Sequence, residues 1–428
     1  MNIKNMLLTN FRGAESLSLD FHDQLNVFVG VNGSGKSSVL DAAAIMLSWF
    51  VNRVKHSGSS GRPITESDIM NGKSVASLNI ACGDKSQDVR WKIVKSRKGH
   101  SKLKRRSDFN ELNEHTKHIQ DRITEESEKT DLPIMVYYPV NRAVLDIPLR
   151  IRSKHNFNLL AAYEDSLTGG VNFRTFFEWF REREDLENEM RRHPEILDIF
   201  NDPNKLSFPD RQLESVRKAL SIFMPEFTDL AVRRNPLRME VKKNGQILIV
   251  NQLSDGEKCL MAMVGDLARR MAIANPNRDN PLHGKGVVLI DEIDLHLHPK
   301  WQRLIVPRLR EVFPNCQFVI STHSPHVLTH VKPENIFLLS LDKEGISAQK
   351  PAESYGKNVD RILEDIMGLE TTRPEQVTSD INQLYKDINE NRVDLARKSI
   401  ARLQSEIGND PELIKASVLI KRKELIGK

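Results

Sequence analysis

Gly30-Val31-Asn32-Gly33-Ser34-Gly35-Lys36-Ser37 follows the apolar run Leu25-Asn26-Val27-Phe28-Val29 and leads into a helix-patterned stretch from Ser37 to Phe50. The octapeptide matches G-x-x-x-x-G-K-[ST], a spacing with a definite physical meaning. Its glycines let backbone N–H groups close around phosphate oxygens, and the helix that follows points its positive end at them. Asn32, Gly33, Ser34 and Gly35 are accordingly read as the cradle, with Ser38 completing it. Lys36 is the cation that neutralises β- and γ-phosphate charge, and the Ser37 hydroxyl is a Mg²⁺ ligand. Buried strand, glycine loop and helix in that order predict an α/β architecture.

Working outward, Val287-Val288-Leu289-Ile290-Asp291-Glu292 is an apolar strand ending in two carboxylates. A strand of this kind places its terminal acid beside a ligand at the carboxyl end of a parallel sheet. Asp291 is expected to hold Mg²⁺, and Glu292 to polarise the attacking water as general base. A helix opens at Leu253-Ser254-Asp255-Gly256-Glu257, where Ser254 with Glu257 also satisfies a plain capping box. That stretch resembles the signature sequence of ABC ATPases, and the order phosphate loop, signature, acidic strand, then Ser321-Thr322-His323-Ser324-Pro325 is the order of an ABC cassette. The resemblance implies ATP with Mg²⁺ as cofactors and a head-to-tail dimer closing on two nucleotides, with a higher oligomer as a further option. It also implies that Ser254, Asp255, Gly256 and Glu257 contact nucleotide and that His323 is the switch histidine at the γ-phosphate.

Asn10-Phe11-Arg12-Gly13 resembles the N-terminal motif of the RecF, SMC and OLD groups, which implies that Arg12 reaches the phosphates. Asp294-Leu295-His296-Leu297-His298-Pro299 is similar to a loop of OLD-like ATPases. His296 and His298 could suggest a metal, although no further ligands cluster near them and Pro299 simply starts a helix. Tyr137-Tyr138-Pro139-Val140-Asn141-Arg142 stands where a Gln loop is expected but contains no glutamine, and Asn141 is the substitute chosen. With that loop and the transporter signature missing, a transporter ATPase is disfavoured.

The chain has 428 residues, beyond the size at which one core usually stops growing. An apolar share of 39% and a charged share of 28% exclude wholesale disorder. No apolar run approaches the ~18 residues of a membrane helix. The start, Met-Asn-Ile-Lys, does not resemble a secretory signal. Cys82, Cys259 and Cys316 are scattered singly, so a reducing cytoplasm is the expected compartment and no membrane association is expected. Net charge is only +5, yet Arg90 to Arg106 holds nine Lys or Arg residues and no acid. The stripe could follow phosphates, or be a solvated edge strand guarded by lysines.

The fold expected is an α/β, ABC-type (RecF/SMC-like) P-loop ATPase cassette with an antiparallel β subdomain, a helical insertion and a C-terminal helical tail. Its parts are an N-terminal lobe over 1–99, a mostly helical insertion over 100–228 with a cassette strand near 133–142, a C-terminal lobe over 229–345 and a helical region over 346–428. Residues 231–250 are read as two strands around the Lys243-Asn244-Gly245 turn. No sustained heptads fill the long gap between Ser37 and Ser254, which disfavours the coiled coil of SMC proteins.

The tail, through Tyr355-Gly-Lys-Asn-Val-Asp360-Arg-Ile-Leu363, Gly368 to Arg373 and the helices after Val377, looks like that of PtuA-type ATPases of Septu and retron-associated anti-phage systems. This implies a separate PtuB-like HNH endonuclease as partner, DNA as target, and a regulatory or scaffolding role. Asp360, Glu364 and Asp365 form no Asp-x-Asp, so a Toprim nuclease within the chain is not expected. Ile362, Leu363, Ile366 and Leu369 are spaced for one helix face that must bury against something. The alternative reading is a stand-alone RecF-like repair ATPase that clamps DNA.

Overall fold

Strands buried on both faces read as continuous apolar runs, and four such runs lie in the six-stranded central sheet of this protein. The computed structural model describes all residues except 84–86, 101–105, 127–129, 141–157, 169–172, 193–207, 344 and 427–428. In chain order the strands are β1 (Asn2–Phe11), β2 (Ala14–Asp20), β3 (Leu25–Val29), β4 (Val75–Gly83), β5 (Asp88–Ser96) and β6 (Ile134–Tyr138). They continue with β7 (Phe227–Arg234), β8 (Leu237–Lys243), β9 (Gln246–Ile249), β10 (Gly286–Ile290), β11 (Cys316–Ser321), β12 (Ile336–Asp342) and β13 (Gly345–Gln349).

The central sheet has the order β13-β12-β3-β11-β10-β6, parallel except for the β12–β13 hairpin. All residues of β3, β6, β10 and β11 are buried. The strand following the phosphate-loop strand in space is thus β11, with the acidic strand β10 one place further out. Register pairs Ile320 with Val27 on one side and Ile290 on the other, and Ile290 with Tyr138. The carboxyl ends of four strands therefore come level, the place where parallel α/β sheets bind ligands.

A second, antiparallel sheet has the order β2-β1-β4-β5, with an apolar face formed by residues such as Met6, Leu8, Leu78, Ile80 and Trp91. Gln317 fastens it to the central sheet. This fully buried side chain accepts from the Ile3 amide at 2.7 Å and donates to the Ile3 and His22 carbonyls, both at 2.8 Å. Each polar atom of the amide thereby has a partner, which burial demands.

The basic stripe begins on β5, an edge strand, and Arg97 serves the backbone: its guanidinium donates to the Lys73 carbonyl at 2.9 Å and the Ile69 carbonyl at 3.2 Å. Lys102, Lys104 and Arg105 lie outside the described residues.

The third sheet, β7-β8-β9, corrects the expectation of two strands over 231–250. The Asn-Gly turn joins β8 to β9 as read, but β7 starts earlier, at Phe227, and turns at Asn235-Pro236. The helix Asp255–Ala274 runs nearly buried along its length, and the aromatic face of helix Phe173–Arg192 packs on it. Phe176, Phe177, Trp179 and Phe180 are buried there, and a Cβ at Gly265 would stand 2.8 Å from the Phe176 ring. Fully burying each such side chain stabilises by ~1.5–3 kcal/mol.

Deep in this layer Asp266 accepts from Arg269 and Arg270, each at 2.7 Å, and from the Tyr138 hydroxyl at 3.0 Å. Burial alone would raise the Asp266 pKa, but the two guanidinium groups hold it at about 2. Arg270 also donates to the Ala162 and Glu164 carbonyls.

Two compact units divide the chain, Met1–Lys357 and Asn358–Lys428. β13, which the sequence did not announce, completes the sheet of the first. In the second, helices Glu375–Asn389, Val393–Ile407 and Pro411–Ile426 enclose Ile381, Leu384, Ile388, Ala396, Leu403, Leu413, Ala416 and Ile420. The expected single face of Ile362, Leu363, Ile366 and Leu369 does not form. The helix Val359–Asp365 ends before Ile366, Gly368 takes φ +72°, and Leu369 is exposed while Ile362 is buried. Among the described residues no helix is long and apolar enough to cross a membrane.

Candidate nucleotide site

The loop between β3 and the helix Lys36–Lys55 is shaped by glycines that other residues could not replace. Gly30 lies at φ +156° with a Cβ position 2.3 Å from the Leu339 carbonyl oxygen. Gly35 lies at φ +97°, and a Cβ there would stand 2.2 Å from the Ile346 side chain. Gly35 is also the left-handed N-cap of the helix and supplies no side-chain cap, so the first helical N–H groups are left to the loop. Lys36 is buried, and its ammonium donates to the Gly30 carbonyl at 2.8 Å and the Val31 carbonyl at 3.1 Å. Burial pulls its pKa down, while Asp291, Glu292 and Asp294 pull it back up.

The Ser34 hydroxyl is buried without a hydrogen-bond partner, Ser37 is exposed and Ser38 half-buried, and Asn32 and Gly33 are exposed. A buried hydroxyl wanting an acceptor, an uncapped helix start and a lysine at the loop's own carbonyls fit a phosphate chain. Ser37 and Asp291 supply the hard oxygen donors that suit Mg²⁺.

Asp291 emerges buried from β10, and its amide donates to the Tyr138 carbonyl at 2.9 Å. Glu292 follows in the left-handed region at φ +48°, with its amide donating to the Ser321 hydroxyl at 2.8 Å. That hydroxyl in turn donates to the Asp291 carboxylate. Thr322 and the His323 amide both donate to Asp294, the latter at 3.3 Å, and His323 is half-buried. The structure thus gathers Lys36, Asp291, Glu292 and His323 at the carboxyl ends of adjacent strands.

Arg12 is held by acids that the sequence reading had not assigned. At φ +50°, it presents its guanidinium to Asp41 at 2.9 Å and Asp68 at 3.0 Å. Burial would lower its pKa, but Asp68 and Asp41 outweigh that and raise it. Asp41 lies one helical turn after Ser37, a lone acid in an otherwise apolar helix face, and that isolation was the available signal. Arg62 approaches the same carboxylate at 3.8 Å. Tyr137 lies in the field of Asp41 and Asp291; burial first, then those charges, push its hydroxyl well above the usual range. Asn141 lies outside the described residues.

Ser254 caps the helix Asp255–Ala274 and closes a reciprocal box with Glu257, whose carboxylate accepts from the Ser254 amide at 2.9 Å. Glu257 also pairs with Lys243, and Asp255 with Lys258 at 2.8 Å. Gly256 packs against the 294–298 loop. A Cβ on it would lie 2.1 Å from the His296 carbonyl oxygen, and His296 itself sits at φ +60°. His298 is spent on the next helix, its Nδ1 accepting from the Lys300 amide at 3.2 Å. Ser254 and Asp255 are exposed. Among the described residues no hydrogen bond or ion pair joins residues 254–257 to the phosphate loop of the same chain.

Residues 25–329 match the family model described as "AAA domain, putative AbiEii toxin, Type IV TA system". The chain is 31% identical, over 97% of its length and 85% of the relative's, to "Retron Ec83 probable ATPase" of Escherichia coli. This protein is an ATPase of the retron and Septu group. The ATPase is also 23% identical to "Septu protein PtuA" of Bacillus thuringiensis, over 91% of this chain and 89% of that one. An SMC head domain, solved bound to the winged-helix domain of ScpA, aligns with 82% of the ATPase and 98% of that chain at a TM-score of 0.46 and 17% identity.

Proposed function

We propose that the chain binds Mg-ATP between two head-to-tail copies and acts as the regulatory, scaffolding ATPase of an anti-phage complex whose DNA cleavage belongs to a separate HNH, PtuB-like nuclease. The observation that carries the nucleotide chemistry is the level alignment of Lys36, Asp291, Glu292 and His323 at the ends of β3, β10 and β11. Lys36 exchanges its contacts with the Gly30 and Val31 carbonyls for phosphate oxygens, a move that costs it no new desolvation because it is already buried. The Ser37 hydroxyl and Asp291 would hold Mg²⁺, which would supply neutralisation of phosphate charge. Glu292 takes the proton of the attacking water, and His323 donates toward the γ-phosphate. Arg12, steadied by Asp41 and Asp68, supplies a further positive group toward the phosphates.

The dimer follows from the exposed N-terminus of the helix starting after Ser254. Its positive end and its serine suit a γ-phosphate, yet among the described residues no hydrogen bond or ion pair joins it to the chain's own phosphate loop. A second copy presents the matching loop. The reading of the partner rests on the PtuA-like tail and on full-length similarity to a retron ATPase; a cytoplasmic site of action follows from that role.

Glu292→Gln tests the assignment. It keeps shape and loses the base, so ATP binding is retained while turnover falls by roughly 10²-fold or more. The same variant accumulates an ATP-bound dimer, read by sedimentation. Wild-type turnover in this variant refutes the assigned base.

A further inference from the structure

The register of β10 and β11 puts Ser321 beside the acidic strand end, and two of its oxygens make three hydrogen bonds there. Its hydroxyl accepts from the Glu292 amide at 2.8 Å and donates to the Asp291 carboxylate, while its carbonyl accepts from the Ile293 amide at 3.0 Å. One O–H and two lone pairs allow both hydroxyl roles at once. The residue is fully buried, so water offers no substitute donor. Glu292 sits at φ +48°, a backbone state that a residue with a long side chain holds only when its surroundings over-determine it. The bond from its amide to Ser321 helps hold it there, beside the bond its carbonyl accepts from the Leu295 amide, and Thr322 and the His323 amide extend the same clamp to Asp294.

We propose that Ser321 is a positioning residue for ATP hydrolysis: its single hydroxyl sets the direction of the Asp291 carboxylate and the backbone conformation that aims Glu292. The inference rests on Glu292 being the base and adds the device that aims it. Coupling the two acids through one oxygen on the strand that also leads to His323 means that acid, base and switch histidine move together. A displacement of β11 relative to β10 disarms all three together.

The test uses the full chain carrying Ser321→Ala, Ser321→Cys and Ser321→Ala with Glu292→Gln. Turnover, KM, ATP affinity by calorimetry in EDTA and in Mg²⁺, and thermal midpoint are measured for each. Ser321→Ala is expected to lower kcat roughly 10–100-fold, as loss of a ligand-orienting partner does, with KM and EDTA affinity within about twofold of wild type. The gain in affinity on adding Mg²⁺ shrinks, and Ser321→Cys, near in size and weak in hydrogen bonding, falls between. In the Glu292→Gln background, Ser321→Ala removes less than about threefold more, because its effect runs through Glu292.

Unchanged kcat in Ser321→Ala, an equal loss of EDTA affinity, or a fully additive double variant overturns the proposal. If Ser321→Ala does not fold, wild-type kcat in Ser321→Cys overturns it. Wild-type turnover in Glu292→Gln alone removes Glu292 as base; an unchanged Mg²⁺ gain in Ser321→Ala then sinks the Ser321 proposal separately.

Discussion

Gly256 passes so close to His296 that a Cβ on it would stand 2.1 Å from the His296 carbonyl oxygen. The obstruction is backbone, and His296 is already at a positive φ, so neither side can yield cheaply. Gly256→Ala therefore pushes the start of the Asp255–Ala274 helix away from the loop that follows Glu292. It is expected to destabilise by about 1–3 kcal/mol, the usual cost of overpacking, and to lower turnover, read by urea unfolding and phosphate release. Wild-type values for both would show that the helix start and the acidic loop are not mechanically joined.

Lys36→Ala removes the buried cation from the loop and leaves the glycine scaffold intact. ATP affinity should fall by at least about tenfold, or ~1.4 kcal/mol. Calorimetric affinity equal to wild type would take the Gly30 loop out of its assigned role.

Asp266→Asn leaves Arg269 and Arg270 buried without their counter-charge. Breaking a buried ion pair from one side costs roughly 3–5 kcal/mol, to be read by denaturant unfolding. Because the Asp266 pKa is depressed to about 2, its contribution is present above the ordinary carboxylate range and is lost as pH falls through about 2. The stability gap between wild type and variant should thus stay level from about pH 7 to pH 5. A gap that closes across that interval would contradict the paired, ionised state.

Ser254→Arg places a large cation at the positive helix end and sacrifices a cap worth ~1 kcal/mol, too little to unfold the protein. ATP should still bind, while ATP-induced self-association is lost in sedimentation runs made in the Glu292→Gln background. Mixing Lys36→Ala with Ser254→Arg subunits restores one composite site per heterodimer. Dimerisation of Ser254→Arg at wild-type strength would refute action across two copies.

Truncation after Lys357 follows the division between the two compact units. ATP binding is expected to persist within about threefold, whereas co-purification of an HNH protein and phage protection are lost. A truncated chain that still retains the nuclease would shift docking to residues 100–228.

What could be read from the sequence was local. The phosphate loop, the acidic strand end and the capped helix at Ser254 each lie within a few consecutive residues, so local spacing exposed the first two and a family resemblance the third. The Tyr138–Asp266 bond and the Arg12–Asp41 pair join residues far apart in the chain, and no spacing announces such meetings. Ser321 was in plain view beside His323, yet its task depends on β11 lying next to β10, a fact of sheet order. The third strand over 227–249 is set by the Asn235-Pro236 turn, which divides a stretch that reads as one strand. The tail face does not form because the helix ends at Asp365, before Ile366 and Leu369.

Ile346, at the start of the last strand of the sheet, stands against the Cβ positions of both Gly35 and Gly13. The phosphate loop is therefore wedged from behind by the hairpin that closes the first unit. A loop braced in this way has little freedom to surrender when a ligand arrives, so affinity is gained through preorganisation rather than through additional contacts. It also makes position 346 a tuning point: trimming that side chain would loosen the phosphate loop through Gly35.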